Sequence, residues 1–180
     1  GINSCGKSNL GLAIFDIIIH LTEKQKLLQA YDFYLNMNGR KSFADFEYVF
    51  AFDDHEVMYK YQKTDANTLQ CESLSIDGRE VIYYDFVKRE GFTLLEGSDT
   101  LNASIKNESP ISRVKYVNSN SILSDNIENQ VFEKFIDFVN RMLLFYSLDS
   151  RGYEGFINGS EGIAEGIVNS GKIKDFQEFL

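Results

Sequence analysis

The chain begins Gly1-Ile2-Asn3-Ser4-Cys5-Gly6-Lys7-Ser8, a full match to G-x-x-x-x-G-K-[ST], and continues at once into a helical pattern. No other stretch limits the choice of fold so tightly. Two glycines let the backbone curl so that consecutive N–H groups face phosphate oxygens, and the helix N-terminus adds partial positive charge. A glycine turn that merely caps a helix needs neither the second glycine nor the lysine. The motif therefore points to phosphate contacts by Gly1, Ser4, Cys5 and Gly6, with Lys7 reaching the β- and γ-phosphates of a nucleotide and the Ser8 hydroxyl ligating Mg²⁺.

Leu10, Ile14, Ile17, Ile18 and Leu21 recur at helical spacing and give the next helix one apolar face. Glu23-Lys24-Gln25-Lys26-Leu27-Leu28 extends it with good helix formers, its charges forming a solvated face, until Asn36-Met37-Asn38-Gly39 signals a turn. A phosphate loop of this kind follows a buried parallel strand, whereas residue 1 is already the loop's first glycine, so the chain reads as part of a longer protein. There is no secretory pattern and no apolar run long enough to span a bilayer.

With 180 residues, 43% hydrophobic and 14% aromatic, the chain can bury a substantial core. A net charge of −9 opposes broad contact with a nucleic-acid backbone by this segment. Cys5 and Cys71 are the only cysteines and have no metal-ligand spacing; they read as free thiols in a reducing cytoplasm.

From about residue 43 the period changes to two. Phe46, Tyr48, Phe50 and Phe52 share one parity and should pack against the first helix or a neighbouring sheet; Val57, Tyr59 and Tyr61 form a second run, with Asp53-Asp54 as the hairpin between. Further strands are expected at Leu69–Ile76, Glu80–Val87 and Phe92–Glu96, giving an antiparallel meander with turns at Asp77-Gly78 and Arg89-Glu90-Gly91. Residues 97–112, with Pro110, read as a surface loop, and Val114-Lys115-Tyr116-Val117 as a short strand. Val131, Phe135, Phe138, Val139, Met142, Leu143 and Tyr146 form a helical stripe capped by Asp125 or Asn126.

The wording Gly1-x-Asn3-x-x-Gly6-Lys7-Ser8-Asn9-Leu10 resembles the phosphate loop of the SMC/RecF branch of ABC ATPases, and within it the bacterial AAA-type proteins related to the OLD (overcoming lysogenisation defect) ATPases. The aromatic meander containing Glu72-Ser73-Leu74, then Phe135-Ile136-Asp137-Phe138-Val139 and the terminal Asp175-Phe176-x-x-Phe179-Leu180, resembles the order of elements in those proteins. The resemblance implies an α/β P-loop NTPase lobe with a lateral antiparallel meander over residues 1–125 and a helical segment, the start of an arm, over 126–180. It implies ATP and Mg²⁺ as ligands, Asn3 and Asn9 as further nucleotide contacts, and a head-to-head homodimer in the full-length protein. It also implies ATP-driven dimer closure serving a nuclease or effector partner in DNA maintenance or phage defence.

The remaining groups of that family have only weak counterparts. Asn158-Gly159-Ser160-Glu161-Gly162 reads as a turn rather than a signature motif, and Val81-Ile82-Tyr83-Tyr84-Asp85 as a plain strand rather than a Walker B strand, since no Glu follows the acid. Asn120 stands where a glutamine that touches Mg²⁺ would be expected and reads as a polar turn. His20 and His55 fit packing or solvent-facing roles. With no general base visible, this segment alone is expected to hydrolyse little ATP. The rival readings are a P-loop kinase or GTPase, which lacks its Asn-Lys-x-Asp here, and an interaction module that has lost catalysis.

Overall fold

The computed structural model describes residues 7–22, 42–65, 67–100, 111–142, 144–147 and 153–156. The first helix, α1, runs Lys7–Leu21. Ile17, Ile18 and Leu21 of its apolar stripe are buried, while Leu10 and Ile14 remain 63% and 45% exposed.

The sheet is a five-stranded antiparallel meander in chain order: β1 (Ala44–Phe52), β2 (His55–Lys63), β3 (Leu69–Ile76), β4 (Arg79–Asp85) and β5 (Glu90–Thr93). Two-residue turns set the register. Phe52 pairs with His55 across Asp53-Asp54, and Ile76 pairs with Arg79 across Asp77-Gly78, where both turn residues have positive φ, 50° and 78°. Alternation then decides which side chains enter the core. On β2 these are Val57, Tyr59, Tyr61 and Lys63, and on β3 Glu72, Leu74 and Ile76.

Two helices join α1 over this face. In α2 (Arg113–Asn120), Val114 and Val117 are buried; in α3 (Ile127–Arg141), Val131, Phe132, Phe135, Ile136 and Val139 are. Together with the inward residues of the sheet they form one apolar cluster, so residues from both sides of the 125/126 boundary share a core. Asn126 caps α3, its side chain accepting from the Asn129 amide at 2.9 Å. The aromatic ladder of β1 is half-buried against this cluster: Phe50 lies 5.3 Å from Phe135 and 5.6 Å from Phe138, and Phe46 stacks on Tyr61 at 4.8 Å.

Three expectations need correction. Val114–Val117 is helix, not strand, because its backbone is capped by Ser112 and anchored on a buried carboxylate. The last two strands of the meander are Arg79–Asp85 and Glu90–Thr93 rather than Glu80–Val87 and Phe92–Glu96, since residues 86–89, not Arg89-Glu90-Gly91, make the turn. The helical stripe ends at Arg141 with Met142 as C-cap; Tyr146 belongs to β6 (Leu144–Ser147), which pairs with β7 (Tyr153–Phe156), so 126–180 is not wholly helical. Leu143 and residues 157–180 lie outside the described residues, as do 23–41, which include Glu23–Leu28.

Candidate functional site

Gly1, Asn3, Ser4, Cys5 and Gly6 of the phosphate loop lie outside the described residues. Lys7, Ser8 and Asn9 are helical and belong to α1. The first described turn of α1 carries no acidic residue.

Two turns further on, α1 meets the sheet through a buried polar network. Asp16 is 1% exposed and its Oδ2 accepts from Lys63 Nζ and from the Tyr61 hydroxyl, both at 2.7 Å; Lys63 is equally buried. The Tyr48 hydroxyl donates to the Ala13 carbonyl at 2.5 Å and lies 3.2 Å from the Tyr61 hydroxyl. His20 Nε2 lies 2.7 Å from the Tyr59 hydroxyl, which in turn donates to Glu72 Oε1. Because that proton goes to the carboxylate, the tyrosine oxygen accepts from His20, which assigns the Nε2–H tautomer. His20 Nδ1 then has no hydrogen-bond partner among the described residues and sits 3.8 Å from Asp16 Oδ2.

Glu72 is fully buried and ends the network at α2. Its carboxylate accepts from the Ser112 hydroxyl and the Arg113 amide, both at 2.5 Å, and from the Val114 amide at 3.4 Å. A negative charge thus sits on the N-terminus of α2, where the peptide dipoles favour it.

Burial sets the protonation states. It holds the His20 imidazole well below its ordinary range, helped by the Lys63 charge and opposed by the Asp16 carbonyl. Burial also raises Glu72, against the bonds it accepts from Ser112, Tyr59 and the α2 amides, and pushes Tyr48, Tyr59 and Tyr61 up. The network is therefore built around a neutral imidazole and protonated phenols at neutral pH.

The weaker sequence candidates have structural uses. Asp85 ends β4, an antiparallel strand, and its Oδ1 accepts from the Val87 and Lys88 amides at 3.0 and 2.8 Å. The Lys88 amide leads the contacts that lower its pKa, so Asp85 is occupied in capping a turn. Asn120 ends α2 and donates to the Tyr116 carbonyl at 3.0 Å. His55 bonds Asp77 at 2.7 Å, tying two hairpin tips together. Cys71 is a free thiol on β3; Cys5 and Asn158–Gly162 lie outside the described residues.

Comparison of the chain with protein-family models, with curated proteins and with solved structures finds no match.

Among the described residues no group of three or more His, Cys, Asp or Glu side chains is arranged to hold a metal, and no helix is long and apolar enough to cross a membrane. Asp16, Lys63 and Glu72 were not singled out as site residues from the sequence. The available signal was parity: Lys63 shares it with Val57, Tyr59 and Tyr61, and Glu72 with Leu74 and Ile76.

Proposed function

We propose that this chain is the ATP-binding lobe of an ABC-class, OLD-like ATPase. In that reading ATP closes a head-to-head homodimer and so switches a nuclease or effector partner in DNA maintenance or phage defence. The observation that carries the proposal is the complete G-x-x-x-x-G-K-[ST] match over Gly1–Ser8, whose Lys7 and Ser8 lie in the helix α1 as the motif requires.

The roles follow from charge and position. The amides of Ser4 to Ser8 and the α1 N-terminus receive the phosphates, and Lys7 neutralises charge that develops on the γ-phosphoryl group. The absence of carboxylates from the first turn of α1 suits a triphosphate there. Mg²⁺ bound with the nucleotide would be held by the Ser8 hydroxyl and supply further charge neutralisation on the phosphate oxygens.

The test is a titration of the chain with labelled ATP and GTP in Mg²⁺. ATP should bind, and Lys7→Ala should abolish binding while leaving the thermal midpoint unchanged. An equal loss of stability in Lys7→Ala, or no binding by the wild type, would refute the assignment. The chain alone should show no steady phosphate release, because Asp85 caps a turn on an antiparallel strand. Turnover that Lys7→Ala removes would overturn that expectation.

A further inference from the structure

We propose that Asp16, with Lys63, Tyr61 and Tyr48, is a register clamp that fixes the axial position of α1 on the meander and so positions the phosphate loop. This inference rests on the nucleotide-binding reading. Ala13, Asp16 and His20 lie on one stripe of α1 at spacings of three and four, and each meets a polar group of β1 or β2. The Ala13 carbonyl takes the Tyr48 hydroxyl, Asp16 takes Tyr61 and Lys63, and His20 takes Tyr59.

The apolar stripe of Ile17, Ile18 and Leu21 holds register only through the shape of its packing, since apolar attraction is non-directional. The polar stripe adds fixed partners. A slip of one turn moves Asp16 by about 5.4 Å and separates it from Lys63 while both are in the interior, which is strongly unfavourable for a buried ion pair. Lys7 lies nine residues before Asp16 on the same helix, so the clamp also sets where Lys7 stands, about 13 Å along the axis. Buried pairs of this kind add little net stability compared with apolar replacements, so register is what the arrangement contributes. These four are positioning residues; none is assigned a contact with nucleotide.

The experiment compares the wild-type chain with the double variant Asp16→Leu, Lys63→Met, which replaces the pair by apolar side chains of similar volume. Thermal midpoint, Mg-ATP affinity and amide hydrogen exchange along α1 are measured on both. The proposal expects a midpoint at or above the wild-type value, ATP affinity lowered about tenfold or more by the misplaced loop, and faster exchange in the first turns of α1. Unchanged ATP affinity with unchanged α1 exchange would overturn it. Should the double variant not fold, Tyr48→Phe and Tyr61→Phe each remove one hydroxyl without stranding a charge. They should move affinity and exchange in the same direction by a smaller factor, and no movement in either would overturn the proposal. If the wild type binds no ATP, the nucleotide reading fails by itself, and the exchange measurement still decides whether the pair fixes α1.

Discussion

Replacing Glu72 with alanine removes an acceptor that joins β2, β3 and α2. The Tyr59 hydroxyl, the Ser112 hydroxyl and the Arg113 amide lose a short bond together, and the Val114 amide loses a long one. A buried donor left without an acceptor costs about 1–3 kcal/mol, so the three short bonds represent a gross loss of about 3–9 kcal/mol. Part of this is returned, because the variant no longer buries a carboxylate whose ionisation the site disfavours. The net expectation is about 3–5 kcal/mol, a large share of the total stability of about 5–15 kcal/mol usual for a folded domain. For a chain of this length that corresponds to a fall in thermal midpoint of about 6–20 °C. The chain has no tryptophan, so far-UV circular dichroism with urea and heat is the suitable assay. Glu80→Ala on the outer face, where the carboxylate accepts from the exposed Ser73 hydroxyl, is the control and should change stability by less than about 0.5 kcal/mol. A Glu72→Ala variant as stable as this control would refute the account of α2 as a helix hung on a buried carboxylate.

The depressed pKa of His20 makes stability depend on pH: the unfolded chain takes up a proton below pH 6.5 that the folded chain resists, so stability is full above 6.5 and falls as pH drops towards the folded pKa. The slope should approach about 1.4 kcal/mol per pH unit and disappear in His20→Gln in a series of urea melts. A wild-type curve that stays flat between pH 6.5 and 5 would count against it. Glu72, raised by burial, contributes the opposite sign at lower pH: its stabilisation is present below the ordinary value of 4.5 and is lost as pH rises through the folded value. Phe135→Ala, fully buried, should cost about 3–5 kcal/mol by urea denaturation, and half-buried Phe50→Ala less, with ATP affinity retained in the latter. A stable Phe50→Ala that binds ATP poorly would make that ring a base-stacking platform instead. Gly97→Ala should lower the thermal midpoint, by an equivalent of about 1–3 kcal/mol, because φ is +89° and a Cβ would sit 2.3 Å from the Ile122 carbonyl oxygen.

The meander was readable because its signals are local. Parity in Phe46, Tyr48, Phe50 and Phe52, and turn residues at Asp53-Asp54 and Asp77-Gly78, fix strands and register without reference to distant groups. The α3 stripe was readable for the same reason, although its end at Arg141 was not, since Leu144 and Tyr146 continue an apolar pattern into a strand. The segment Val114–Val117 was misread because four residues cannot separate a period of two from one of 3.6. What decides it is Glu72, some forty residues earlier, supplying an acceptor to the helix N-terminus. Charged core residues are illegible for a related reason: their burial depends on a partner from another element, as Lys63 depends on Asp16. Of the phosphate loop, the sequence supplies the motif and the described residues supply only the helix that follows it.

The tyrosines that hold α1 and α2 to the sheet also give this chain an optical label of its own. Tyr59 and Tyr61 are buried, and burial pushes both phenols well above their ordinary range. In an alkaline titration exposed phenols lose their protons reversibly in the ordinary range near pH 10, but the two core phenols ionise only when the fold opens. Proton loss and unfolding at these positions become a single spectroscopic event. The ultraviolet spectrum of the unmodified protein then counts how many chains still keep α1 seated on the sheet.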